Sequence, residues 1–136
     1  MIIVGVLFET MKETELNKIS GLIIGAAIDV HKEVGPGLLE SVYEECLYFE
    51  LVQLGLKVER QVELPINYKG NKLRGNLRLD LLVEDEVIVE LKSVDKIHPI
   101  HRAQIITYLK LSNRTLGLLI NFNETLLKHG VERFRN

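Results

Sequence analysis

Between Lys12 and Val34 the apolar positions Leu16, Ile19, Ile23, Ala26, Ala27 and Val30 recur at intervals of three and four, which predicts a helix with one buried stripe. Thr10 stands three residues before Glu13, as in a capping box, and Gly35-Pro36-Gly37 supplies the stop and a tight turn. A second helix, Leu38 to about Leu54, carries Leu39, Val42, Tyr43, Cys46, Leu47 and Leu54 on one side and has Gly55 as its C-terminal cap. From Lys57 the period becomes two: Val58, Val62, Leu64 and Ile66 alternate with polar neighbours as far as a turn at Tyr68-Lys69-Gly70-Asn71. A longer strand, Leu73 to Val83, an acidic loop at Glu84-Asp85-Glu86 and a third strand, Val87 to Leu91, complete an antiparallel meander. His98 to Leu111 reads as a helix. Thr115 to Phe122 is an almost continuous apolar run, as expected of a strand covered on both faces, and Val131 to Phe134 suits a final edge strand. The order α-α-β-β-β-α-β predicts one α/β domain over residues 1–136 with a mixed central sheet flanked by helices.

The leading segment fits this pattern poorly. Ile2 to Phe8 is apolar but lacks a basic lead and is too short to span a bilayer, so it is either an extension from an upstream start codon, with Met11 opening a more ordinary beginning, or an added edge strand. Gly21 and Gly25 lie one helical turn apart, and packing against a close backbone is the reading for them.

Composition narrows the class. The chain has 136 residues, 46% hydrophobic and 26% charged, enough for a real core, and no segment that reads as a membrane span. One cysteine, Cys46, excludes an internal disulfide and a cysteine-based zinc site, which sets the expectation of a reducing, cytoplasmic compartment and a packing role for Cys46. The net charge of −2 excludes a protein that coats nucleic acid by charge alone. That charge is nevertheless polarised: residues 1–56 hold three basic and nine acidic residues, whereas residues 96–136 hold seven basic and two acidic ones. Lys96, Arg102, Lys110 and Arg114, around the third helix, are thereby expected to face phosphates.

Register carries the candidate chemistry. Folding the hairpin about Glu84–Glu86 so that its apolar positions coincide pairs Val83 with Val87, Leu81 with Val89 and Leu79 with Leu91 on one face. The other face then pairs Leu82 with Ile88, Asp80 with Glu90 and Arg78 with Lys92; a shift of one residue would set Leu79 against Glu90 and is disfavoured. The loop lacks the glycine that three-residue hairpins usually need. Two carboxylates directly across strands repel unless a positive charge lies between them, and such oxygen donors suit a hard cation such as Mg²⁺. Lys92 could then bind a metal-held water and stabilise charge on a phosphate, as metal-assisted phosphodiester hydrolysis requires. A solvated strand face with mixed charges is the simpler alternative, but Asp80 interrupts the apolar run Leu79–Val83 and weakens it.

Asp80, then a hairpin, then Glu90-Leu91-Lys92 resembles the PD-(D/E)xK nuclease signature, with Leu79 where the signature has proline. Gly37-Leu38-Leu39-Glu40-Ser41-Val42-Tyr43 is similar to the GxxExxY motif that names a small branch of that superfamily, and the resemblance runs from about Glu13 to Phe134. It implies a restriction-endonuclease-like core and a Mg²⁺- or Mn²⁺-dependent nuclease acting on DNA in preference to RNA. Asp80, Glu90 and the Leu91 carbonyl would hold the metal, and Lys92 would activate or position the water. The superfamily's first-helix acid makes Glu40 a third acid or a water-mediated ligand, beside Tyr43 one turn on; a dipole-favoured carboxylate at a helix start is the alternative for Glu40. His101, Gln104 and Tyr108 share one helical stripe that resembles a Gln-xxx-Tyr element beside the site, and with Arg102 and Tyr43 they are the expected substrate contacts.

His98 and His101 lack the partners of a zinc site, and His31 reads as a packed or capping residue. Two rival functions remain at this stage: a catalytically silent binding or assembly module on the same fold, and a small-substrate phosphoryl-transfer enzyme, which the missing phosphate loop disfavours. A homodimer would help one small site to engage a long polymer.

Overall fold

The computed structural model describes residues 2–136, without the side chains of residues 2–11 and of Asn76. Its elements are α1 (Ile2–Val34), α2 (Glu40–Gln53), β1 (Val58–Tyr68), β2 (Asn71–Val83), β3 (Val87–Lys92), α3 (Pro99–Ser112), β4 (Leu116–Asn121), a 3₁₀ turn (Leu127–Gly130) and β5 (Val131–Arg135). The five strands lie in sequence order, antiparallel except for the parallel pair β3–β4 that α3 connects. This is a mixed α/β, restriction-endonuclease-like architecture.

The sheet separates two cores. Leu81, Val83, Val87, Val89, Leu91, Leu118 and Ile120 pack with Leu16, Ile23, Ala27, Val30, Tyr43, Leu47 and Leu51, which places α1 and α2 on one face. Leu64, Leu79, Leu82, Ile88 and Leu119 pack with Ile105, Tyr108 and Leu109 of α3 on the other. Strand β4 is buried throughout, as its unbroken apolar run predicts. At Gly117 an added Cβ would stand 3.0 Å from the Ile105 side chain, so the missing side chain lets α3 sit down on the sheet.

Three expectations change. Helix α1 begins at Ile2, so the segment Ile2–Phe8 continues the helix and is not an edge strand, and the helix does not start at Thr10–Glu13. Among the described residues outside their own helix turn, nothing lies within 4 Å of a Cβ added at Gly21 or Gly25, so no other backbone there approaches them closely. The loop Glu84–Glu86 closes without glycine because Glu84 and Asp85 both take left-handed backbones, with φ of 53° and 56°. That conformation costs about 1–2 kcal/mol per residue. Bonds offset it: Glu84 exchanges backbone and carboxylate hydrogen bonds with Lys57, each 2.8 Å, and Arg114 grips the Asp85 carboxylate at 2.8 Å. The turn Lys69-Gly70, with φ of 49° and 80°, is the left-handed pair that a two-residue hairpin demands.

Candidate active site

The β2–β3 ladder runs in the expected register, Val83 with Val87, Leu82 with Ile88 and Leu81 with Val89, and there it stops. Asp80 and Glu90 are not ladder partners. Instead the Leu91 N–H donates to Asp80 Oδ2 at 2.8 Å, and the Asp80 N–H donates to Glu90 Oε1 at 3.3 Å. Two carboxylates thus replace the backbone pairing where the strands splay apart.

The splay comes with a change of pleat. Leu81 packs in the α1–α2 core and Leu79 in the α3 core, although residues two apart on a strand normally share a face. On β1, Val62, the partner of Leu79, packs in the α3 core, whereas Val58, the partner of Val83, packs against the α1–α2 core. Between them the β1–β2 ladder skips Gln61 and Asp80, and Gln61 has a φ of 50°. Leu79 and Leu91 therefore do not share a core face as the register argument expects. Gln61 holds this strained backbone by donating its amide to Glu44 Oε1. Glu44 is buried, and its other oxygen accepts from Arg60 Nε and Nη2 at 3.2 and 3.0 Å. Together Glu40, Ser41, Glu44, Gln61, Asp80 and Leu91 line a cavity of about 300 Å³.

Glu90 is 5% exposed. Burial and, next, the neighbouring Asp80 charge push its carboxyl up to about 9, so it is protonated at neutral pH and hydrogen bonds to Asp80. A proton therefore neutralises the pair as a bound cation would. The donor chemistry fits a hard divalent ion that keeps several waters: two carboxylates that meet, with Leu91 lining the same cavity as Asp80. Among the described residues no three His, Cys, Asp or Glu side chains gather into a metal-binding group; Glu40 lines the same cavity as Asp80. Lys92 is half-buried, acts electrostatically on Glu90 and His101, and makes none of the ion pairs found among the described residues.

The glycine-to-tyrosine segment before and within α2 has a mechanical reading. Gly35 and Gly37 take φ of 73° and 91°, closed to most side chains. Tyr43 Oη donates to the Gly35 carbonyl at 2.6 Å and accepts the Leu38 N–H at 3.1 Å, while its ring stacks on Phe122 at 4.3 Å. Ser93, just after Lys92, donates its hydroxyl to the Leu38 carbonyl and its N–H to Glu40 Oε1 at 3.4 Å. The loop is thereby clamped from both sides, and Glu40, at the first turn of α2, is brought to the end of β3. Tyr43 itself is fully buried, so it positions this loop and does not touch substrate.

The remaining candidates divide. Tyr108 is buried and senses both Glu90 and Asp80; burial first, then those charges, raise its hydroxyl pKa, while a hydrogen bond from Gln104 works the other way. His101 Nδ1 accepts the His98 N–H at 3.0 Å, and burial followed by Lys92 lowers its pKa, which leaves a neutral ring carrying its proton on Nε2. Arg102, expected at a phosphate, is bound by Glu132 at 2.7 Å, and Arg114 is held by Asp85, so half of the expected basic face is already paired. His31 is packed, its Nε2 2.7 Å from the Glu124 carbonyl oxygen.

Pattern reading passed over Glu44, Gln61, Ser93 and Asn121. Asn121 is 1% exposed and clamps the chain beyond Lys92: it accepts the Val94 N–H at 3.1 Å and donates to the Val94 carbonyl at 2.9 Å. Its signal was a polar residue inside the run Leu116–Phe122; that of Glu44 was its place one turn above Glu40.

The family model described as the PD-(D/E)XK nuclease superfamily matches residues 17–134. The chain belongs to the PD-(D/E)XK nuclease superfamily. No curated protein and no solved structure matches it. At the splayed end of the hairpin Asp80 and Glu90 are brought together, and Lys92 acts electrostatically on Glu90. No helix among the described residues is long and apolar enough to cross a membrane.

Proposed function

We propose that the chain, one nuclease-like domain of the GxxExxY branch, is a metal-dependent nuclease that hydrolyses phosphodiester bonds in DNA in preference to RNA, in the cytoplasm. The observation that carries this reading is the convergence of the Asp80 and buried Glu90 carboxyls, linked by a hydrogen bond where the ladder opens, with Lys92 acting on Glu90. A divalent ion, Mg²⁺ or Mn²⁺, taken up in exchange for the Glu90 proton, would be held by Asp80, Glu90 and the Leu91 carbonyl and would polarise the phosphodiester. Each carboxylate keeps one oxygen anchored on a backbone N–H, which fixes the direction of the other.

Lys92 orients the attacking water and carries charge opposite the phosphoryl oxygens. A water–phosphorus bond forms as the bond to the leaving nucleotide oxygen breaks, the water losing one proton and the leaving oxygen gaining one from solvent. Glu40 would accept a hydrogen bond from a water near the bound ion. The Nε2–H of His101 and the Gln104 amide, next to the protonated Tyr108, donate to the phosphate beside the scissile one. The test is divalent-ion binding by calorimetry and cleavage of duplex, single-stranded and branched DNA and of RNA, with Asp80→Ala and Lys92→Ala as controls. Cleavage by wild type alone supports the reading. A wild type that binds no ion and matches both variants on every substrate overturns it in favour of a silent binding module.

A further inference from the structure

The ladder between β2 and β3 ends at Leu81, so residues 71–79 of β2 pair with β1 alone and form a two-stranded ribbon beyond the sheet. Only its base is packed: Val62, Leu64, Leu77 and Leu79 lie in the α3 core. From Pro65 to Arg78 the sequence carries Lys69, Lys72, Arg74 and Arg78 and no aspartate or glutamate. All four cations are exposed, as are Tyr68 (57%) and Leu73 (45%), and Lys69 lies over the Tyr68 ring at 5.4 Å. None of the four forms an ion pair among the described residues, in contrast to Arg102 and Arg114. Glu63, the ladder partner of Arg78, lines a hollow with Lys72 and Arg74.

Lys72, Arg74 and Arg78 lie along β2 ahead of Asp80, on a stretch whose register with β1 shifts between Leu64 and Ile66. Arg78 stands about 6.6 Å before Asp80; Lys72 pairs with Asn67, six residues along β1 from Gln61, which places it roughly 20 Å away at 3.3 Å per residue, a reach of several nucleotides. A two-stranded ribbon is also the shape that a B-form major groove admits.

We infer that the β1–β2 ribbon is a duplex-binding arm, its cations on the phosphate backbone leading away from the cleavage site. The inference rests on the nuclease reading for its substrate but not for its test. Binding of a fluorescent duplex is measured against salt for the full chain and for Lys69→Ala/Lys72→Ala/Arg74→Ala, both also carrying Asp80→Asn to prevent turnover. The triple variant should lower the slope of log K against log salt by about three and weaken binding by about tenfold or more. In the active background it should raise KM for duplex and leave hydrolysis of bis(p-nitrophenyl) phosphate, too small to reach the arm, unchanged. An unaltered salt slope and KM overturns the arm even if the protein cleaves DNA. A reduced slope upholds the arm even if wild type cleaves nothing, in which case the nuclease reading alone fails.

Discussion

At the loop end of the β2–β3 hairpin Leu81, Leu82 and Val83 pair with Val89, Ile88 and Val87, every side chain is apolar and the faces alternate. A few residues further on, Asp80 and Glu90 leave the ladder, the pleat changes phase, Gln61 opposite is forced to a left-handed backbone, and a carboxyl is buried. The first end satisfies backbone groups with backbone groups and is built for stability. The second spends stability to hold two acids against each other. Strain and buried charge are tolerated where chemistry needs them because the regular end, anchored in both cores, over-determines the chain direction.

Substitutions at the two ends should therefore separate activity from stability. The largest effect expected is on turnover: Asp80→Ala or Lys92→Ala should lower cleavage by about 10²–10⁴-fold with the folded state retained, measured as single-turnover rates beside thermal melts. At the regular end Ile88→Ala should cost about 2–5 kcal/mol in denaturant titrations, while the folded fraction keeps its turnover. Loss of catalysis in folded Ile88→Ala, or global unfolding of Lys92→Ala, would break the division.

Glu90 sharpens it through pH. Its carboxyl pKa is raised in the fold, so its contribution to stability is fully present below about pH 4.5 and is lost as pH rises toward about 9. Metal-free protein should lose at most about 1.4 kcal/mol per pH unit in that window. Glu90→Gln, which carries no ionisable proton, should flatten the loss while abolishing cleavage; an equal slope in both proteins would show that another group sets it. Smaller again, Tyr43→Phe leaves the Gly35 carbonyl and Leu38 N–H without their partner and should cost about 1–3 kcal/mol. It should lower turnover less than Glu40→Ala does. Arg102→Ala, already paired with Glu132, should change the salt dependence of DNA binding least of all.

Much of this was legible in the sequence because apolar periodicity reports burial and burial fixes register. The pairing Val83–Val87 through Leu81–Val89, the doubly covered β4 and the edge strand β5 all follow from where Val, Leu and Ile fall. What did not follow is where periodicity is broken on purpose. Nothing in Leu79 announces that it packs with α3 while Leu81 packs with α1 and α2, because the phase change is enforced by Gln61 and Glu44, which meet only across the fold. Tyr43 read as a site residue because it closes the GxxExxY segment one turn after Glu40. Its hydroxyl in fact faces backwards onto the loop. Charge misled likewise: Arg102 and Arg114 looked free until β5 and the Glu84–Glu86 loop supplied Glu132 and Asp85.

The parallel join of β3 and β4 also sets an order of assembly. Asp80 and Glu90 belong to one hairpin and can meet within microseconds of local closure. The Asn121 clamp on Val94 spans 27 residues and needs the whole α3 crossover first. A chain emerging residue by residue would thus bring its two acids together early and fix the lysine-bearing strand end last, so the competent site closes only when β4 docks.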